Sequence, residues 1–295
     1  MRLKMKRILY TTCIMILTGI VICLFFSAYS CEDYLRSEEI DTSPVSGWLE
    51  LPAMRPDSGL KFLRHDRTDD GVRSRDWSCA YDTSALISHW VAYPLNKDLI
   101  GTGKRSDAWG LDPKLPAEKQ AVLYRGFRSA DPDVRYDRGH QIPSADRLDR
   151  EDNIRTFYFT NMTPQLSQLN QKGWAQLEDL VRDRAMTVDT LYVVTGCSVE
   201  GSTGYAYDNE GKKVLVPSAY YKALLSYRMT KDGPEYKACG FWMEHSPFKG
   251  DVVESILSVD KLEERTGLDF FVNLKDKIGK KAAASVESSI DEWYY

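Results

Sequence analysis

YDRGHQIPSADR, residues 136 to 147, sets Asp137, Arg138, Gly139 and His140 in direct succession. A polar turn would account for such a run. A reactive site would account for it as well. Imidazole exchanges protons near neutral pH, an arginine grips an anion, and a glycine lets backbone approach a ligand with no Cβ in the way. Asp137 reads as a brace for the loop. Ile142 and Pro143 read as the chain's return to the core, Asp146 and Arg147 as surface.

Thirty residues further on, the segment LSQLNQKGWAQLEDLVRDRAM (166–186) carries apolar residues near helical spacing, with Gly173 as its one weak point. Asn170 and Glu178 are eight residues apart on this helix, a difference of roughly 80° around the axis, so both can face one cleft. Phosphodiester hydrolysis needs a base for water, a cation for developing charge, and a metal ion to help the leaving oxygen depart. The 136–147 stretch offers the base and the cation. The helix offers an amide oxygen and a carboxylate, which is enough for Mg²⁺, an ion that keeps most of its waters.

Around these segments the runs LKFLRHD, RDWSCAYD, LISHWVAYPL, TFYFTNM, TLYVVTG, PSAYYKALLSYRM and YKACGFWMEH read as strands. A short helix is expected at VDKLEERTG, and DFFVNL closes the domain. Residues 101–135 form a long irregular loop of the kind that carries function. The spacing predicts an α+β fold, an antiparallel sheet flanked by helices, in one domain over 49–295.

Before it, Arg2, Lys4, Lys6 and Arg7 precede 19 uncharged residues, 8 to 26. Ser27, Ala28, Tyr29 and Ser30 then lead to Cys31, in a pattern similar to a bacterial lipoprotein cleavage site. The leading expectation is a signal peptide over 1–31, a lipidated Cys31, and an acidic, polar tether over 32–48. An uncleaved anchor and plain secretion are the alternatives. Each places the domain outside the cytoplasm.

The formal net charge of −4 argues against a polycation that coats nucleic acid, and leaves room for a local basic cleft. Residues 101–150 hold ten Lys/Arg and eight Asp/Glu, a mildly basic flank suited to phosphate contacts without sequence readout. Cys79, Cys197 and Cys239 remain in the domain, allowing one disulfide, for which Cys197–Cys239 is the expected pair. No spacing suggests zinc. Among the histidines, His89 reads as buried structure, His65 as a solvated edge, and His245 as a strand end. Only His140 has other site candidates beside it.

The motif DRGH, with WVAYPL (90–95) before it and FTNMTPQLSQLNQKGWAQLED (159–179) after it, resembles the DNA/RNA non-specific endonucleases of the ββα-metal class, the endonuclease G-like family. VVTG, VPSAYYK and EERTGLDFF follow in that family's order, so the resemblance spans about residues 49–275. It implies a ββα-metal nuclease fold and cleavage of DNA and RNA. It implies His140 as general base, Asn170 as direct ligand of Mg²⁺ (Mn²⁺ as substitute), and Glu178 as the residue that orders a metal-bound water. Arg138 would contact phosphate, Asn161 would support the site and touch substrate, and Arg105 matches a further arginine, with Lys104 as the other candidate.

Two rivals come from other classes. One is a surface lipoprotein that keeps the fold and binds nucleic acid without cutting it. The other is a glycan-processing lipoprotein, which needs a carboxylate pair in distinct surroundings; the sequence offers none.

Overall fold

In the computed structural model the described residues are 47–54, 59–69, 71–202 and 204–290. The leader, Cys31 and residues 32–46 of the tether lie outside them. Trp48 already belongs to the domain: its ring lies beneath the guanidinium groups of Arg64 and Arg75, and its carbonyl accepts from Asn273.

Runs rich in β-branched and aromatic residues supply the strands β1 (Lys61–Asp69), β2 (Val72–Asp82), β3 (Ile87–Leu95), β6 (Thr190–Ser198), β9 (Ala219–Thr230), β10 (Gly233–Glu244) and β11 (Ile256–Leu257). They form one antiparallel sheet in the order β1-β2-β3-β6-β9-β10-β11. Two small ribbons stand apart from it, β4 (Tyr136–His140) with β5 (Met162–Leu166), and β7 (Gly204–Tyr207) with β8 (Lys213–Val216).

Besides a single α-helical turn at Lys97–Ile100, the helices among the described residues are α1 (Arg150–Thr156), an interrupted α2, α3 (Val259–Thr266), α4 (Leu274–Ile278) and α5 (Lys280–Ser288). In α2 the α-helical segments Ser167–Leu169 and Ala175–Ala185 flank a π-helical turn at Asn170–Trp174.

Both faces of the main sheet are covered, which is why its strands read as continuous apolar runs. On one face Cys79, Tyr81, Val91, Tyr93, Val193 and Leu224 pack with Trp174, Leu177 and Val181 of α2. On the other, Ala80, Trp90, Ala92, Val194 and Ala223 pack with Val259, Leu262, Phe270 and Leu274. Side chains alternate between the faces with period two, so the site-bearing layer and the C-terminal helices use opposite residues of the same strands. The α+β expectation holds.

Several expectations need correction. TFYFTNM is not a strand: Thr156 ends α1, Phe159–Asn161 is a 3-10 turn, and β5 begins at Met162. The Asn161 side chain donates to the Thr156 carbonyl at 2.7 Å, folding the segment back on itself. DFFVNL does not close the domain: its two phenylalanines pack in the core, its Leu274 opens α4, and α5 follows. The β7–β8 hairpin was not anticipated.

Cys79, Cys197 and Cys239 are buried, free thiols. Cys197 lies on β6 and Cys239 on β10, with β9 between them. Two strand spacings are about 9.5 Å, beyond the reach of a disulfide.

His65 is buried, 3.0 Å from the equally buried Asp112. Asp146 and Arg147 are buried as well. Arg147 donates to Asp76 Oδ1 (2.7 Å) and to the carbonyls of Asp76, Pro94 and Asp146, while Asp146 accepts from Tyr93 Oη and Arg182. Charges at these depths persist because they are paired and fully hydrogen-bonded.

Candidate active site

Antiparallel pairing of β4 with β5 fixes the motif in register, with His140 opposite Met162, Gly139 opposite Thr163 and Asp137 opposite Gln165. Arg138 and His140, two residues apart, share one face of the ribbon. Both line a cleft of about 790 Å³ whose walls also include Arg105, Trp109, Asn170 and Glu178. Lys104 is exposed and does not line it, so of the two only Arg105 stands in the cleft wall.

Gly139 has a different purpose from the one its sequence context suggests. A Cβ there would stand 2.5 Å from Gln165 Oε1 and 2.6 Å from Gln165 Cβ. The glycine admits the neighbouring strand's side chain rather than a ligand. Gly139→Ala is expected to destabilise the domain by about 1–3 kcal/mol through overpacking and to lower activity by displacing His140. Thermal unfolding and cleavage assays check both, and unchanged values in the two would refute the packing role.

Asn161 is fully buried. Its Oδ1 accepts from Ile142 N at 2.9 Å, and its Nδ2 donates to the carbonyls of Ile142 and Thr156. With its carbonyl accepting from Gln141 N (3.1 Å), it clamps the two residues that follow His140. It supports the site from behind and does not itself line the cleft.

Aromatic rings set His140 and the two arginines in place. The His140 ring lies 5.4 Å from that of Trp109 and 5.2 Å, edge to face, from Phe157. Arg138 places its guanidinium carbon 3.4 Å from the centre of the Trp109 ring and donates through Nη1 to the carbonyls of Leu123 (3.0 Å) and Tyr124 (3.1 Å). Arg105 lies 4.8 Å over Phe157, bonded to Ser144 Oγ and Asp107 at 2.8 Å each. Trp109 thus organises both His140 and Arg138, and the sequence reading gave it no role. Its only signal was its place in GKRSDAW, beside Arg105.

Burial pushes the His140 imidazole down to about 3, and the charges of Arg105 and Arg138 push the same way. The ring is therefore neutral at physiological pH. The Arg138 backbone accepts a hydrogen bond from it, and Nε2 is buried without a partner. The bond to Arg138 falls to Nδ1, leaving Nε2 as an acceptor without a protein partner. Burial, and then the proximity of Arg105, lowers Arg138 as well. Two cations held together against their own repulsion make a site that an anion relieves.

Asp137 is the brace that the sequence suggested, and what it braces is the helix. Its carboxylate accepts from Ser167 Oγ (2.7 Å), Asn170 Nδ2 (3.0 Å) and Gln171 Nε2 (2.7 Å). The bond from Asn170 commits the amide nitrogen and leaves the carbonyl oxygen for a ligand.

The π turn has a geometric consequence. It spends more residues per turn, so each rotates less than in an α-helix. The offset between Asn170 and Glu178 falls below that of a regular helix, and both reach the cleft. Gly173 allows the turn to sit against Phe248, whose ring atoms would lie 2.3 Å from a Cβ. Burial raises the Glu178 carboxyl, and the buried ammonium of Lys222 on β9 draws it back. Lys222 donates to Thr195 Oγ1 at 2.7 Å and lies 5.0 Å over the Trp174 ring; the sequence reading missed it too.

Among the described residues no group of three or more His, Cys, Asp or Glu forms a metal cage. One amide oxygen and one nearby carboxylate in a polar, open cleft suit a hard divalent ion that keeps most of its water, and do not suit zinc.

The remaining histidines are structural. His245 accepts from Leu166 N (2.8 Å) and lies 2.7 Å from the Pro217 carbonyl, and burial lowers it. Half-buried His89 sits 3.3 Å from Asp82.

Comparison with known proteins places these features in context. The family model for DNA/RNA non-specific endonucleases matches residues 67–277. The nuclease of Serratia marcescens is 34% identical over 202 residues, 67% of this chain and 73% of that protein. The nuclease of Nostoc sp. is 32% identical over 222 residues, 73% of this chain and 76% of its own length. The crystal structure of an EndoG/EndoGI complex superposes with a TM-score of 0.55 at 22% identity, covering 73% of this chain and 89% of that one, a likeness of fold.

Proposed function

The chain belongs to the DNA/RNA non-specific endonuclease family, and we propose that it cuts DNA and RNA without sequence preference, with His140 as general base and Asn170 holding Mg²⁺. It is a metal-dependent phosphodiester hydrolase of the ββα-metal fold. The observation that carries the assignment is the partnerless Nε2 of a neutral His140 in the same cleft as two arginines and Asn170.

His140 Nε2 takes a proton from water, the resulting hydroxide attacks phosphorus in line, and the P–O bond opposite it breaks, the leaving oxygen taking its proton from solvent. Arg138 and Arg105 hold the non-bridging oxygens and offset the negative charge that grows on them. When bound, the divalent ion adds Lewis-acid stabilisation of the phosphate and of the departing oxygen. Asn170 would hold that ion through its side-chain oxygen, with Asp137 orienting the amide, and Glu178 would accept a hydrogen bond from water in the same cleft. Mn²⁺ fits the same oxygen donors. The cleft offers cations and aromatic rings, which meet phosphates and base faces alike, in keeping with tolerance of sequence.

The layout of residues 1–31 supports action outside the cytoplasm, with the domain tethered to a membrane through a lipidated Cys31. The test is cleavage of plasmid DNA, single-stranded DNA and RNA across Mg²⁺ concentrations by the wild type and by Asn170→Ala. The variant is expected to lose at least about 100-fold in activity, in line with the loss of a charge-stabilising element, and to show weakened Mn²⁺ binding by electron paramagnetic resonance. Wild-type protein that binds nucleic acid and never cuts it with any divalent ion would overturn the reading.

A further inference from the structure

The β7–β8 hairpin presents a basic, aromatic face outside the cleft. Alternation splits its residues: Ala206, Val214 and Val216 are buried, and Tyr205, Tyr207 and Lys213 point the other way. Lys213 stands opposite Tyr207 in register, with its Nζ 5.4 Å over the Tyr205 ring. Arg128 joins from the neighbouring loop, its guanidinium 4.8 Å over Tyr207, and the two backbones exchange hydrogen bonds of 2.8 Å. Tyr205 is 51% exposed, a large apolar surface left in water.

This face is fastened to the cleft. Arg125, Gly126, Phe127 and Ser129 line the cleft wall. Val122 N donates to Asp208 Oδ2 (2.9 Å), Arg125 N to Asn209 Oδ1 (2.7 Å), and Asn209 Nδ2 to the Gly126 carbonyl (2.8 Å). The hairpin therefore continues the wall as one rigid surface. Charge balance leaves its cations available. Asp208 and Glu210 engage Lys212, and among the described residues no carboxylate forms an ion pair with Arg128 or Lys213.

We propose that this face is a path for single-stranded nucleic acid leaving the cleft, with a base stacked on Tyr205 and phosphates on Arg128 and Lys213. Stacking on an aromatic ring accepts any base, because every base has a π face, and cations beside the ring follow the backbone. The path rests on the nuclease reading for its direction, and its test is separable from that reading because binding is measured without cleavage.

The experiment titrates a labelled 20-nucleotide oligothymidylate and a duplex of the same length against the full chain carrying His140→Ala, with and without Tyr205→Ala, and with Tyr205→Phe. Tyr205→Ala is expected to weaken single-strand binding about tenfold, the scale of one lost base–ring stack. Duplex binding, with its bases already stacked, changes much less, and Tyr205→Phe keeps the wild-type single-strand affinity. Adding Arg128→Ala and Lys213→Ala flattens the salt dependence of binding. Unchanged single-strand affinity in Tyr205→Ala, or an equal loss for duplex, overturns the path. Strong Tyr205-dependent binding by a protein whose wild-type form never cuts would overturn the proposed function and leave the path standing.

Discussion

Replacing His140 with alanine is expected to lower kcat by about 10²- to 10⁴-fold, the usual worth of a positioned general base. The loss falls on kcat because Arg138, Arg105 and Asn170 still bind substrate and metal ion. The fold survives, since the ring's neighbours Trp109 and Phe157 also pack against each other, with centroids 4.7 Å apart. Near-wild-type turnover in a folded variant would refute the assignment.

The pH profile gives a second readout of the same residue. With its imidazole pushed down by burial to about 3, the free enzyme keeps its base unprotonated well below the usual histidine range. The acid limb of kcat/KM, which reports the free enzyme, is therefore expected below pH 6. An anionic substrate favours the imidazolium, so the limb of kcat is displaced to higher pH than that of kcat/KM. Folding follows the same linkage. Between about 3 and the ordinary 6.5 the unfolded chain binds a proton that the native His140 does not. The contribution is present above pH 6.5 and is lost as the pH falls toward 3. Chemical denaturation of His140→Asn across that range is expected to show a shallower dependence on pH than the wild type.

The largest expected effect on stability lies at Arg147. Its guanidinium is fully buried and bonds Asp76, which also pairs with Arg155 at 2.7 Å. Arg147→Met keeps much of the volume, but leaves a buried carboxylate short of one cation and three carbonyls short of a donor. Breaking a buried pair from one side costs about 3–5 kcal/mol. Because Arg155 remains, the lower end applies, a fall in melting temperature of roughly 6–12 °C. Asp146 and Arg147 tie the chain after His140 to β2, β3 and α2, so cleavage activity is expected to fall at temperatures where the domain is still folded. A melting temperature within about 2 °C of the wild type would show that this network carries little.

The two charged residues that close YDRGHQIPSADR show where local reading stops. On the chain they look like surface, since nothing nearby announces a partner. Asp76 lies 71 positions from Arg147, and only the fold brings them together. His65 is the same case, flanked by Arg64 and Asp66 and paired with distant Asp112. Asn161 was legible as a site residue, yet its contacts with Ile142 and Thr156 make it a clamp. The Cys197–Cys239 expectation failed because strand order, with β9 between, is a property of the sheet and not of the sequence of runs.

The chain's own order of residues determined the layers and the chemistry. Apolar periodicity placed most strands and the α2 helix, because alternation and helical spacing are local properties. The types and spacing of His140, Arg138, Asn170 and Glu178 pointed to the proposed base, cation and oxygen donor set. Tertiary structure decided the rest. It set the imidazole's low proton affinity through burial and two nearby arginines, and committed the Asn170 amide nitrogen to Asp137. It reduced Gly139 to a gap for Gln165. Each of these depends on atoms far apart in sequence and within a few ångströms in space, so no window along the chain could contain them.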